Sequence, residues 1–91
     1  MTSKKVIFSG RVQRVGFRYV TKQLARGFDV VGWIKNLKDG TVELQLMGEA
    51  DEVEDFLNEI VEESELASLI KEHQVWDIDS LQNCRGFRIA D

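Results

Sequence analysis

Residues 9–19 read Ser-Gly-Arg-Val-Gln-Arg-Val-Gly-Phe-Arg-Tyr and join two different hydrophobic periodicities. Upstream, apolar residues and a glycine alternate with polar residues: Val6, Phe8, Gly10 and Val12. This period of two predicts a half-buried strand over about residues 4–12. Downstream, apolar residues recur at helical spacing: Phe17, Val20, Leu24 and Phe28. They predict a helix over about residues 17–28, so a short strand-to-helix turn falls at about residues 13–16.

The charge at this turn is unusual for the start of a helix. Helices normally begin with a Ser, Thr, Asp or Asn cap and carry acids in the first turn, but residues 11–19 contain none of these. Arg14 and Arg18 instead lie at or near the positive end of the helix dipole, where a cation is unfavourable. An anion bound at the turn would resolve this conflict and give the free N–H groups an acceptor. The alternative is a solvated turn with two surface arginines.

Length and composition predict one small domain over residues 1–91. We find no apolar run long enough to span a membrane and no signal-peptide pattern. The single cysteine, Cys84, excludes an internal disulfide and fits a reducing cytosol. The expectation is a cytoplasmic monomer with no membrane partner.

Charge is distributed unevenly along the chain, whose formal net charge is −4. Residues 1–45 carry nine Lys or Arg and three Asp or Glu, whereas residues 46–91 carry three and thirteen. The basic half contains the candidate anion site, so its field would attract a small anion. The acidic half would repel a long polyanion, which argues against nucleic acid as a partner.

The remaining segments complete a strand-helix-strand-strand-helix-strand order. Strands are predicted over about residues 30–36 and 41–47, joined by an Asp39-Gly40 hairpin turn. In the second of these strands, alternate apolar residues are predicted to face inward: Val42, Leu44 and Leu46. A second helix is predicted over about residues 50–62. A fourth strand falls somewhere within residues 69–78, and a short fifth strand over about residues 86–89.

This order predicts an α+β two-layer sandwich in which two amphipathic helices cover one face of an antiparallel sheet. It is the ferredoxin-like arrangement. Because that fold supports RNA-binding modules, ligand sensors, metal carriers and enzymes, the fold by itself leaves the function open. An RNA-binding module of this fold would need exposed aromatic side chains within strands 1 and 3. Strand 3 has none, and the alternation of strand 1 places Phe8 inward.

Several motifs together resemble the acylphosphatases. They are Gly10-x-Val12-Gln13-x-Val15-x-Phe17-Arg18, Gly32-Trp33-Ile34-Lys35-Asn36, Asp39-Gly40-x-Val42-Glu43 and Gly86-Phe87-x-Ile89. The resemblance covers nearly the whole chain and is strongest over residues 8–48. It implies hydrolysis of acyl phosphates to a carboxylate and inorganic phosphate, without a metal or an organic cofactor.

The resemblance also implies roles for individual residues. The loop that cradles the substrate phosphate comprises Gln13, Arg14, Val15, Gly16, Phe17 and Arg18. Arg18 is expected to clamp the phosphate oxygens, and Asn36 to hold the attacking water. Gln13 is expected to brace the loop. Because the leaving group is a stable carboxylate, this chemistry needs no general acid, only positioning and charge stabilisation.

The sequence departs from the family pattern at two positions. Arg14 stands where the family usually has glycine, and a positive φ there would be strained for any other residue. Arg14 would then either add a second cation near the phosphate or distort the cradle. In the latter case the chain would be a catalytically weak anion- or ligand-binding module on the same fold. Asp29 stands where the family usually has a glycine after the first helix.

Overall fold

The computed structural model describes residues 1–90, which form five strands and two α-helices. In chain order these are β1 (Thr2–Gly10), α1 (Phe17–Ala25), β2 (Val30–Asn36), β3 (Val42–Gly48), α2 (Ala50–Asn58), β4 (Ile70–Asp77) and β5 (Phe87–Ile89). The predicted element order is confirmed, and β2 has the predicted bounds. β4 lies within the predicted range of residues 69–78.

The sheet has the strand order β4-β1-β3-β2-β5. The pairs β1–β3, β1–β4 and β2–β3 are antiparallel, but β5 runs parallel to β2. The prediction of an antiparallel sheet is therefore wrong for the β2–β5 pair. The connection from β4 to β5 stays at one end of the sheet, so β5 runs opposite to β4. β4 also runs opposite to β1, and β1 has the direction of β2, which makes the β2–β5 pair parallel.

The core lies between the helices and one face of the sheet. In β3 the three residues predicted to face inward are all fully buried: Val42, Leu44 and Leu46. Opposite residues of antiparallel neighbours share a face, so Val6 and Phe8 of β1 join them. Phe8 meets Phe17 of α1 with ring centroids 5.2 Å apart. This two-layer packing of two helices on one sheet confirms the ferredoxin-like α+β fold.

β1 and α1, which lie on either side of residues 11–16, are both shorter than their periodicities predict. β1 ends at Gly10, not at residue 12, because φ reaches 122° there. Only glycine fits this position, since a Cβ would lie 2.5 Å from the Leu69 carbonyl oxygen. α1 ends at Ala25, not at residue 28. The N–H groups of Gly27 and Phe28 bond to Leu24 and Ala25, three residues back, which tightens the last turn.

The second helix also changes character before its predicted end. α2 is α-helical to Asn58 and continues as a π-helical turn over Glu59–Glu63. The Ser64 N–H bonds to the Glu59 carbonyl five residues back, and its hydroxyl donates to the Ile60 carbonyl. This turn keeps Ile60 fully buried while the chain leaves the helix.

No helix within residues 1–90 combines the length and the apolar character that a membrane span requires.

Candidate active site

The loop after β1 lies at the edge of the sheet where β2 also ends. β1 and β2 run in the same direction on either side of β3, so Gly10 and Asn36 mark the same edge. Phe8 and Asn36 both pair with Val42 of β3. The Asn36 side chain therefore belongs to the helix-covered face of the sheet.

Gln13 fixes this loop to the neighbouring hairpin. Its Nε2 donates to the carbonyl oxygens of Leu37 and Thr41, each at 2.8 Å. The Leu37 N–H in turn bonds to the Thr41 carbonyl, which closes the hairpin. The side chain thus joins the two turns that flank the end of β2, as expected of a brace. Gln13 itself does not line the cavity that opens between this loop, α1 and the end of β2.

No side chain within residues 1–90 caps the start of α1. Gly16 is the N-cap residue, at φ 77° and ψ 15°, and provides no side-chain hydrogen bond. The first turn contains no acidic residue. The Val20 N–H makes the first helical bond, to the Gly16 carbonyl. The N–H groups of residues 17–19 precede that bond and have no helical partner. The uncapped helix start expected from the sequence is confirmed.

Arg14 has a backbone conformation that favours glycine, with φ of 62°. For a residue with a Cβ this costs about 1–2 kcal/mol. Among residues 1–90, Asn83 is the only other residue besides glycines with positive φ. Asp29 is thus not strained, and its N–H donates to Oε1 of Glu52 at 2.6 Å. The departure from the family pattern is strained at Arg14 alone.

A cavity of about 160 Å³ opens between this loop, α1 and the end of β2. Its lining includes four of the six loop residues to which the resemblance assigns phosphate binding, and also Asn36. Those four are Arg14, Gly16, Phe17 and Arg18. Val15 is not among them and instead packs against the core. The volume far exceeds the roughly 10–15 Å³ that a single water needs, so a small anion has room.

Asn36 brings an unpaired acceptor to this cavity. Its Oδ1 is buried and has no hydrogen-bond partner among residues 1–90. Leaving a buried polar atom unpaired costs about 1–3 kcal/mol, so such an atom calls for a ligand or a water. The hydroxyl of Thr41, which is close to Asn36 in sequence, donates to Oδ1 of Asp39 and not to Asn36. In the sequence, the alternation of β2 indicates this placement, because Asn36 lies two residues after buried Ile34 and so shares its face of the strand.

Three further residues line the cavity without having been predicted from the sequence: Val12, Tyr19 and Ile89. Val12 is buried although it lies beyond the end of β1. Tyr19 is 61% exposed at the opening. Ile89 reaches the cavity from β5, and only the parallel β2–β5 pairing brings that strand here. Local periodicity carries no signal for such a contact.

Cations dominate the charge around the opening. Within residues 1–90 the one side-chain ion pair is Lys4 with Asp77, so no described carboxylate pairs with Arg14 or Arg18. The nearest turn does hold an acid, Asp39. The hydroxyl and the N–H of Thr41 both donate to it, which holds the pKa of Asp39 below its usual value. Its charge is thereby engaged within the hairpin.

Comparison with known proteins places this geometry in one family. The acylphosphatase family model matches residues 4–89. An acylphosphatase of Methanospirillum hungatei is 43% identical over 60 residues, just under two thirds of each chain at 66%. An acylphosphatase of Staphylococcus aureus is 35% identical over 87% of this chain and 88% of that one. The crystal structure of acylphosphatase from Bacillus subtilis matches with a TM-score of 0.88 and 32% identity, covering both chains fully.

Because the family model matches nearly every residue and the relatives agree in both sequence and structure, the chain belongs to the acylphosphatase family of enzymes.

Proposed function

We propose that this protein hydrolyses acyl phosphates to a carboxylate and inorganic phosphate, by attack of a water that Asn36 holds. One observation carries the proposal. The buried Asn36 Oδ1 has no described partner, and Asn36 lines the same cavity as Arg18 and the uncapped start of α1. An acceptor for a water and donors for an anion thus share one small space.

The phosphate binds at the start of α1, where the protein offers N–H donors. The N–H groups at the start of α1 point out of the helix, and the helix dipole favours a negative charge there. The Arg18 guanidinium adds fixed N–H donors in the geometry that suits phosphate oxygens. The N–H groups of the preceding loop complete the cradle. A bound phosphate also removes the unfavourable placement of Arg18 beside the positive end of the helix.

Asn36 positions the nucleophile because its Oδ1 can accept one proton of a water. The water oxygen attacks phosphorus in line with the bond to the acyl oxygen. That bond breaks, and its electron pair leaves with the carboxylate. The proton released by the water passes to an oxygen of the phosphate. The protein supplies position and charge stabilisation, which are the main contributions that phosphoryl transfer requires.

No side chain needs to act as general acid, because a carboxylate leaves without being protonated. A positive cradle stabilises the charge on the phosphate oxygens in the transition state. The reaction as proposed also needs no metal or organic cofactor. The substrate is a small molecule, since the cavity measures about 160 Å³.

Benzoyl phosphate hydrolysis in the presence of a metal chelator tests the proposal. We expect wild-type turnover, and we expect Asn36→Ala to lower kcat by about 10²–10³-fold, as for other lost stabilising groups. Asn58→Ala is the matched control, since Asn58 is an exposed residue of α2. A fully active Asn36→Ala protein would refute the mechanism.

A binding module with little turnover is the second candidate, and the positive φ of Arg14 is the observation that favours it. If Arg14 distorts the cradle, wild-type hydrolysis stays near background while phosphate still stabilises the fold. Arg14→Gly would then restore activity, since glycine takes this conformation without strain. High wild-type activity would exclude this candidate.

A further inference from the structure

The backbone conformation of Arg14 is unfavourable for any residue with a Cβ. The presence of arginine here therefore calls for an explanation in its side chain. At φ 62° a glycine would be unstrained. Gly16, two residues on, has a similar φ of 77°. The Arg14 N–H can serve the cradle in either case, because the backbone N–H does not depend on the side chain. What arginine adds at this position is a guanidinium.

Arg14 lines the cavity from an exposed position. Arg14 is exposed, whereas Phe17 and the Oδ1 atom of Asn36 are buried. Arg14, Phe17 and Asn36 all line the same cavity. The exposed Arg14 therefore borders the solvent side of the cavity, and it is a second cation there besides Arg18. No carboxylate among residues 1–90 pairs with Arg14.

The two arginines of the cavity differ in whether the reacting phosphate already gives them a partner. In the proposed function the phosphate meets Arg18 and the positive start of α1. The acyl group of a bound substrate must then extend towards the opening. The walls along this path include the apolar or aromatic side chains of Tyr19 and Ile89. A substrate with a neutral acyl group leaves the Arg14 guanidinium without a partner.

We propose that Arg14 makes this enzyme favour acyl phosphates whose acyl group carries a second anionic group, a carboxylate or a phosphoryl group. This inference rests on the proposed function and names the substrate class of the same site. Arg14 pairs with the distal anion while Arg18 and the helix start hold the reacting phosphate. Because the pair forms at an exposed position, it contributes modestly and weakens as salt is added.

The test compares kcat/KM for benzoyl phosphate with that for its 3-carboxy and 4-carboxy derivatives. The carboxylate-to-neutral ratio is measured for the wild type and for Arg14→Gln, at low ionic strength. Intrinsic reactivity and any general effect on the cradle cancel when the two ratios are divided. We expect the wild-type ratio to be about 2–5-fold higher for at least one derivative, and to approach the variant's ratio in 0.5 M salt.

Two variants separate the specific contact from other effects. Arg11→Gln removes the same charge from an exposed position that does not line the cavity, and it should keep the wild-type ratio. Arg14→Gly removes the side chain without backbone strain and should lose the preference, which covers the case that Arg14→Gln folds poorly. Equal ratios in wild type and both Arg14 variants, or an equal loss in Arg11→Gln, would overturn the inference alone. No benzoyl phosphate turnover above that of Asn36→Ala would overturn the proposed function as well.

Discussion

The two helices of this fold begin in the same topological setting but with opposite chemistry. α1 follows β1 and α2 follows β3, and neither has a side-chain cap. α2 carries Asp51 and Glu52 in its first turn, and Oδ1 of Asp51 accepts a hydrogen bond from the Glu52 N–H at 2.9 Å. α1 has no acid in its first turn and has Arg18 there. One helix start is neutralised by the chain's own carboxylates, and the other is left positive.

The difference shows that the positive start of α1 is not imposed by the fold. The chain uses acids at a helix start where it can, so their absence from α1 is local to the cavity. The absence of acids from the start of α1 leaves the helix less stable, since carboxylates near a helix N-terminus contribute about 0.3–1 kcal/mol each. The start of α1 is therefore suited to an external anion, and the start of α2 is suited to stability.

Arg18→Ala should produce the largest change, and it should act in opposite directions on activity and stability. We expect kcat to fall by about 10²–10³-fold, because a group that stabilises the transition-state charge is lost. The free energy of unfolding without phosphate should rise by about 0.3–1 kcal/mol, because a cation leaves the positive end of the helix. Hydrolysis assays and urea unfolding measure the two effects.

Arg26→Ala is the matched control, because Arg26 is exposed and lies at the other end of α1. There a cation is favourable, so its removal should lower stability by a few tenths of a kcal/mol and leave activity unchanged. If Arg18→Ala and Arg26→Ala change stability in the same direction, the contrast between the two helix ends does not hold.

Inorganic phosphate should stabilise the protein through α1 alone. At ten times its dissociation constant, phosphate should raise the free energy of unfolding by about 1.4 kcal/mol. For a domain of this size that corresponds to a rise in Tm of about 6–11 °C. Thermal unfolding is compared with chloride at equal ionic strength. Arg18→Ala should lose most of the shift, and Asp51→Asn should retain it; a shift that survives Arg18→Ala would place the anion elsewhere.

Asp51→Asn should give the smallest effect, and only on stability. The asparagine keeps a side-chain acceptor but loses the negative charge at the start of α2. We expect the free energy of unfolding to fall by about 0.3–1 kcal/mol, with the loss shrinking in high salt. Urea unfolding at two salt concentrations measures it. Activity should not change, and a loss of activity would show that the two helix starts are coupled.

The sequence predicts well those features that depend on neighbours along the chain. The alternation of β3 correctly assigns its inward residues, and Asp39-Gly40 correctly marks the hairpin, where Gly40 has φ of 93°. The missing acids of α1 are visible in the sequence for the same reason. The resemblance adds Arg18 and Asn36 as candidate site residues, and both line the same cavity. Their catalytic roles stay predictions.

Features that depend on distant pairing were not predictable. β5 has three residues, too few for a periodicity to reveal its partner or direction. Ile89 could be assigned to the cavity only once the parallel pairing with β2 was known.

The helix lengths predicted for α1 and α2 are too long, because apolar spacing continues through the tightened turn and the π-helical turn that end them. Both turns keep apolar residues on the core side without α-helical hydrogen bonds.

The pairing of β5 with β2 also has a consequence for how the cavity forms in time. Its walls bring together Val12 and Ile89, which lie near opposite ends of the described chain. Closing so long a segment requires a large loss of chain entropy before any contact compensates for it. β1, α1 and the β2–β3 hairpin can associate earlier through shorter loops. We therefore expect the cradle to form through early contacts, and the wall that β5 contributes to form later.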